Sequence, residues 1–147
     1  MRVELLRGLR GRIVIVIDAS ALAKFILKEE GWERIADFLR AGTISVDHIV
    51  KEVANVIWRR LMRKEISLED ARRMFEAMRE VIGKAVVIED EMDYIDDAFE
   101  ISIRRGVTVY DSLYIALSGN MKLKLLTADE VQAQAASAEE VHTIILR

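Results

Sequence analysis

Ile13-Val14-Ile15-Val16-Ile17-Asp18 is an unbroken run of β-branched residues halted by a carboxylate. A strand with one wet face alternates apolar and polar residues, whereas this one is apolar at every position. It therefore reads as a strand buried on both faces, the condition of a parallel sheet covered by helices. Working outward, strand-like runs recur at 43–46, 85–88, 123–126 and 143–146. Longer segments between them carry apolar residues at three- and four-residue steps. Ser20 offers an N-cap to a helix over 21–28, Gly31 breaks it, and a helix over 32–40 aligns Ile35, Phe38 and Leu39 before Gly42 stops it. Asp47 can cap a helix that reaches position 64, with Ile49, Val50, Val53, Ile57 and Leu61 in line. Ser67-Leu68-Glu69-Asp70 resembles a capping box ahead of Met74, Phe75, Met78 and Ile82, with Gly83 as the stop. A helix over 91–105 closes at Gly106, and another starts at Val109 or Tyr110 and runs to Gly119. Strands separated by helices specify an α/β fold: a central, mainly parallel five-stranded sheet flanked by helices, with right-handed crossovers. No repeat or linker divides the chain, so one domain is expected over 13–147, preceded by a basic extension over 1–12 that carries Arg2, Arg7, Arg10 and Arg12.

Composition narrows the chemistry. The 147 residues include 22 Lys plus Arg against 25 Asp plus Glu, two histidines, and no cysteine or proline. Disulfides, thiolate metal sites and cysteine nucleophiles are excluded, and two histidines give little support to a multi-histidine zinc site or a Ser-His-Asp engine. The apolar run at 13–17 is five residues long, far short of a membrane span, so a cytoplasmic protein without a membrane partner is expected. Hydrolytic chemistry here must lean on carboxylates.

Four acids recur where an α/β fold gathers ligands, beyond the carboxyl ends of strands. Asp18 follows the first strand directly, and Asp129 follows the fourth by three residues. Glu52 lies near the start of the helix after the second strand, and Asp111 near the start of the helix leading into the fourth. Any one of them could be a helix cap. Four together would raise one another's pKa and destabilise the fold unless a cation were present. All-oxygen ligation suits Mg²⁺ or Mn²⁺, and the natural chemistry is phosphodiester hydrolysis by an activated water.

At these residues the chain resembles the PIN-domain family, in particular its VapC-like toxin ribonucleases. The matching stretches are Val16-Ile17-Asp18-Ala19-Ser20-Ala21-Leu22, Glu52-Val53-Ala54-Asn55-Val56-Ile57, Tyr110-Asp111-Ser112-Leu113-Tyr114-Ile115-Ala116-Leu117 and Leu126-Thr127-Ala128-Asp129. The resemblance implies a Mg²⁺ or Mn²⁺ pocket lined by Asp18, Glu52, Asp111 and Asp129, and metal-dependent cleavage of RNA. Ser20 and Thr127 match hydroxyl positions near the acids and would orient them, while capping a helix or closing a turn is an equally open and compatible role. Asn55, three residues after Glu52 on the same helical face, is a third supporting residue. The toxin branch further implies a homodimer and a small VapB-like antitoxin whose tail enters the acidic pocket.

Two departures qualify the match. Many relatives carry a proline ahead of the helix with the second acid, where this chain has Val46-Asp47-His48-Ile49; Asp47 is read as a cap rather than a ligand. After Asp129 relatives often continue with basic residues, and here the run is Glu130-Val131-Gln132-Ala133-Gln134. Setting the four proposed ligands aside leaves 22 basic and 21 acidic side chains, so the remaining surface is near neutral. Arg59, Arg60, Arg63 and Lys64 cluster at one helix end, where they either complement the helix dipole or contact RNA phosphates. Trp32, Trp58 and Tyr94 can stack on bases but equally suit a core or an interface, and His48 and His142 read as structural. Three functions follow: a toxin endoribonuclease, a housekeeping RNA-processing nuclease on the same site, or a non-catalytic binding module.

Overall fold

The computed structural model describes residues 13–146. Five strands, β1 (Ile15–Ile17), β2 (Thr43–Val46), β3 (Val86–Glu89), β4 (Lys124–Thr127) and β5 (Thr143–Ile145), form one sheet in the order β3-β2-β1-β4-β5. Every neighbouring pair is parallel. β1 and β2 are buried at every residue and β4 at all but its first, as the apolar runs require. The basic extension over 1–12 lies outside the described residues.

Among the described residues seven α-helices flank the sheet: α1 (Ala19–Ile26), α2 (Trp32–Ala41), α3 (His48–Met62), α4 (Leu68–Ala85), α5 (Ile95–Arg105), α6 (Val109–Met121) and α7 (Glu130–Ala138). α1 packs on α2 and α3, and α3 on α4; α5 packs on α6, and α6 on α7 and across β1, β2 and β4. α6 is buried continuously from Ser112 to Ser118, so it behaves as a core rod rather than an amphipathic surface helix. None of these helices is long and apolar enough to cross a membrane.

The strand order reverses direction at the centre: β2 and β3 extend to one side of β1, and β4 and β5 to the other. Such a switch point opens a crevice at the carboxyl ends of the two central strands, here β1 and β4. Asp18 and Asp129 follow those two strands.

Several boundaries differ from the sequence expectation, each for a local reason. α1 starts two residues early because Asp18, not Ser20, is its N-cap, its carboxylate accepting from the Ala21 N–H at 2.9 Å. Asp47 occupies the N-cap position of α3 without capping it; its Oδ1 instead accepts the Glu91 N–H at 2.9 Å. That bond, with Asp90 accepting from the Met92 N–H, folds residues 91–93 into a 3₁₀ turn, so the helix expected over 91–105 begins only at Ile95. Gly83 does not end α4: a Cβ there would meet nothing within 4 Å, and the helix runs on to Ala85. Ser67 does cap α4, accepting from the Asp70 N–H at 3.0 Å. Gly42, at φ +124°, ends α2 in a conformation other residues rarely adopt.

Candidate active site

Asp18 is 3% exposed at the end of β1. Its Oδ1 accepts from the Ser20 hydroxyl at 2.7 Å and the Ala21 N–H, and its Oδ2 accepts from the Thr127 hydroxyl. Ser20 Oγ in turn accepts the Ala128 N–H at 2.9 Å, and Thr127 Oγ1 accepts the Asp129 N–H at 3.1 Å. A hydroxyl has one proton to give. Both hydroxyls aim theirs at Asp18, so the 3.2 Å approach of Ser20 Oγ to Thr127 Oγ1 is a by-product of that convergence. Together they tie the loop after β1 to the loop after β4. Burial pushes the Asp18 carboxyl up to about 6, against the three hydrogen bonds that oppose the rise, and the Glu52 charge adds to it.

Glu52 projects from the second turn of α3 and is half-buried. The Tyr114 hydroxyl on α6 donates to its Oε1 at 2.6 Å, and His48 Nε2, one turn earlier on α3, lies 3.2 Å from the same oxygen. Burial raises the Glu52 carboxyl, the Tyr114 bond opposes this, and the Asp111 charge reinforces it. Tyr114 is 1% exposed, and burial together with the Glu52 charge raises its hydroxyl, which stays a proton donor. Asp111 lies in the first turn of α6, whose N-cap Thr108 accepts the Asp111 N–H at 3.1 Å. Burial and the Asp129 charge raise the Asp111 carboxyl. Asp129 is the N-cap of α7 and accepts from the Val131 N–H at 2.9 Å. Three of the four charges thus oppose ionisation of a neighbouring acid: Glu52 that of Asp18, Asp111 that of Glu52, and Asp129 that of Asp111.

Among the described residues no three His, Asp or Glu side chains are gathered tightly enough to hold one metal ion. The donors are nevertheless all hard oxygens, and burial and neighbouring charge raise the carboxyls of Asp18, Glu52 and Asp111, a set that a hard divalent cation suits.

The other expected residues divide. Ser20 and Thr127 are bonded to Asp18, whereas Asn55 is exposed on α3 with no hydrogen bond tying it to the acids. Arg59 in the last turn of α3 and Arg63 and Lys64 just past its end are exposed; at about 1.5 Å per residue, Arg59 stands roughly 10 Å and Arg63 roughly 16 Å along the axis from Glu52. Arg60 is paired with Glu29 at 2.8 Å and Glu65 at 3.2 Å. Sequence reasoning gave no site role to Tyr114 or Gln132. Tyr114 shares a helix face with Asp111 at a three-residue step, which was a usable signal. Gln132, 1% exposed, donates from Nε2 to the Asp111 carbonyl at 3.0 Å and so braces the turn that carries that acid.

The PIN domain family model matches residues 15–138. Ribonuclease VapC3 of Pyrobaculum aerophilum is 33% identical over 122 residues, spanning 82% of this chain and 92% of that protein. Among solved structures, PAE2754 from Pyrobaculum aerophilum superposes with a TM-score of 0.65 at 21% identity, over 84% of this chain and 86% of that one. Mycobacterium tuberculosis VapC20, described as a sarcin-ricin loop cleaving toxin, gives 0.62 at 18% identity, over 82% and 94% of the two chains.

Proposed function

The chain belongs to the PIN domain family, and on that premise we propose that it is a Mg²⁺- or Mn²⁺-dependent endoribonuclease, the toxin of a VapBC-type pair. The observation that carries this reading is the placement of Asp18 and Asp129 after the two central strands, with Glu52 near enough to Asp18, Asp111 to Glu52 and Asp129 to Asp111 for each charge to oppose ionisation of its neighbour. A protein that maintains such repulsion beside a crevice is built for a cation. Asp18, Glu52, Asp111 and Asp129 would hold it, and it would supply positive charge to the scissile phosphate and acidify a water for attack.

The chain's own residues do the rest. Ser20, Thr127 and the Ala21 amide fix both oxygens of Asp18, so this carboxylate meets its ligand without losing rotamer freedom at that moment. Tyr114 and His48 hold Glu52 from two helices. Gln132 and Thr108 fix the backbone at Asp111. A polyanion would be repelled by the four bare carboxylates, which makes RNA binding at the crevice dependent on the cation. Arg59, Arg63 and Lys64 would meet the RNA backbone only where it extends past α3.

Two exposed apolar surfaces support the partner reading. Trp58, Leu61, Leu68 and Phe75 line a groove between α3 and α4, suited to an apolar helix of a small antitoxin. Phe99 and Ile103 protrude from α5, suited to a second copy of the chain.

Cleavage of single-stranded RNA with Mn²⁺, abolished by chelation and by Asp18→Asn and Asp111→Asn, is the expected result; cleavage unaffected by both substitutions sinks the site. Growth arrest on expression, relieved by a small neighbouring reading frame, separates a toxin from a processing enzyme.

A further inference from the structure

Tyr110 precedes Asp111 in the first turn of α6, and its ring is 60% exposed. It does not swing freely. It lies flat against the imidazole of His48, with ring centroids 4.7 Å apart and planes 8° from parallel. His48 is itself anchored by Glu52 at 3.2 Å and is largely buried. One face of the tyrosine is therefore spent on the protein, while the ring as a whole stays open to solvent beside two of the four carboxylates. Such a ring is a poor hydrophobic core element and a good preformed stacking surface.

The other aromatics differ in placement. Trp32 has Phe25 against it at 6.1 Å and the Lys28 ammonium over its ring at 5.7 Å. Trp58 belongs to the apolar groove between α3 and α4. Tyr94 and Tyr114 are buried. The aromatic ring that combines exposure, fixed orientation and adjacency to the acids is Tyr110.

We propose that Tyr110, held face-on by His48, is the platform on which a nucleobase of single-stranded RNA stacks next to the carboxylates. This rests on the nuclease reading above and extends it to substrate recognition. Every base has a π-face, so the contact favours unpaired over paired RNA without selecting one base. It also supplies attraction that needs no positive charge, which matters where four carboxylates repel phosphate and the basic cluster lies at the far end of α3. Because His48 touches both Tyr110 and Glu52, an occupied platform sets the strand at a fixed distance from the acids.

The test is equilibrium binding of a short fluorescein-labelled oligoadenylate, followed by anisotropy with Ca²⁺ present, against an abasic ribose-phosphate oligomer of the same length. Tyr110→Ala should weaken oligoadenylate binding about tenfold and leave the abasic oligomer unchanged. Tyr110→Phe should stay within about twofold of the parent chain, since the face and not the hydroxyl is used. An unchanged affinity in Tyr110→Ala overturns the platform and leaves the ring to a protein contact; so does an equal loss on the abasic oligomer, or a loss in Tyr110→Phe as large as in Tyr110→Ala. Far-ultraviolet circular dichroism checks that the variants fold. Cleavage of the same oligoadenylate with Mn²⁺ separates the two ideas. Tyr110-dependent binding without cleavage overturns only the nuclease reading. Cleavage with Tyr110-independent binding overturns only the platform, and a parent chain that neither binds nor cleaves overturns both.

Discussion

Asp18 and Glu52 repel one another across the crevice yet are held by opposite means. Asp18 sits at the bottom, satisfied by two hydroxyls and an amide from the first turn of α1 and the end of β4. Glu52 sits at the rim, half-buried, with a phenol and an imidazole on one oxygen, both from helices. The first half is a small-residue construction whose partners are the first turn of α1 and the last residue of β4. The second is aromatic, and its partners Tyr114 and Tyr110 come from a helix distant in the chain. The contrast assigns the two halves different duties: the floor fixes charge, and the rim adapts to what is brought to it.

The largest expected effect breaks the floor. Asp18→Asn should lower kcat/KM for Mn²⁺-dependent RNA cleavage by more than the ~10- to 100-fold typical of residues that merely orient a ligand, with the fold retained. Steady-state kinetics with thermal unfolding checks both halves of that statement.

The same carboxylate also governs stability. Its folded pKa, about 6, stands above the ordinary 3.8, so between those values the folded state binds more protons than the unfolded. In ion-free protein the contribution of this group should therefore be fully present below about pH 4, be lost as pH rises to about 6, and change little above that. At roughly 1.4 kcal/mol per unit the loss is at most about 3 kcal/mol. Glu52 and Asp111, raised in the same direction, add to it. Thermal unfolding in chelator across this range should show the slope in the parent chain and a shallower one in Asp18→Asn.

Thr127→Val tests the floor at constant volume. It removes the donor to Asp18 Oδ2 and the acceptor for the Asp129 amide, at a site with no exposure. A cost of about 1–3 kcal/mol in unfolding free energy is expected. At the rim, Tyr114→Phe should cost less stability, about 1 kcal/mol, and show itself chiefly as a roughly tenfold weaker Mn²⁺ affinity by titration calorimetry. If Tyr114→Phe destabilises more than Thr127→Val, the division into a rigid floor and an adaptable rim is wrong. Smallest of all, replacing Arg59, Arg63 and Lys64 together with alanine should leave kcat unchanged and only flatten the salt dependence of RNA binding.

The floor is also the half that could be read from sequence. Asp18 follows an unmistakable buried strand and Asp129 follows another closely, so strand reading alone set these two acids at one edge of the sheet, and Thr127 entered through the family resemblance. β2 falls at the expected residues, because Gly42 and the apolar run bound it on both sides. The rim was not legible in the same way. His48 on Tyr110, Tyr114 on Glu52 and Asp47 on the Glu91 amide each join residues 44 or more positions apart, and no local pattern announces such bonds. α7 escaped notice for another reason. Its sequence, Glu-Val-Gln-Ala-Gln-Ala-Ala-Ser-Ala, lacks the large apolar residues whose spacing reveals a helix, and it docks through alanines and Gln132.

The bond from Thr127 to Asp18 spans 109 positions and forms only when β4 lies against β1. A chain still emerging from the ribosome, with Asp18 and Glu52 translated but β4 not yet made, has neither the Thr127 donor to Asp18 Oδ2 nor the fourth acid, Asp129. The four acids cannot stand at one edge of the sheet before β4 and Asp129 are synthesised. On the proposed reading, a ribosome translating this chain is therefore not exposed to the complete set of acids until β4 has formed beside β1.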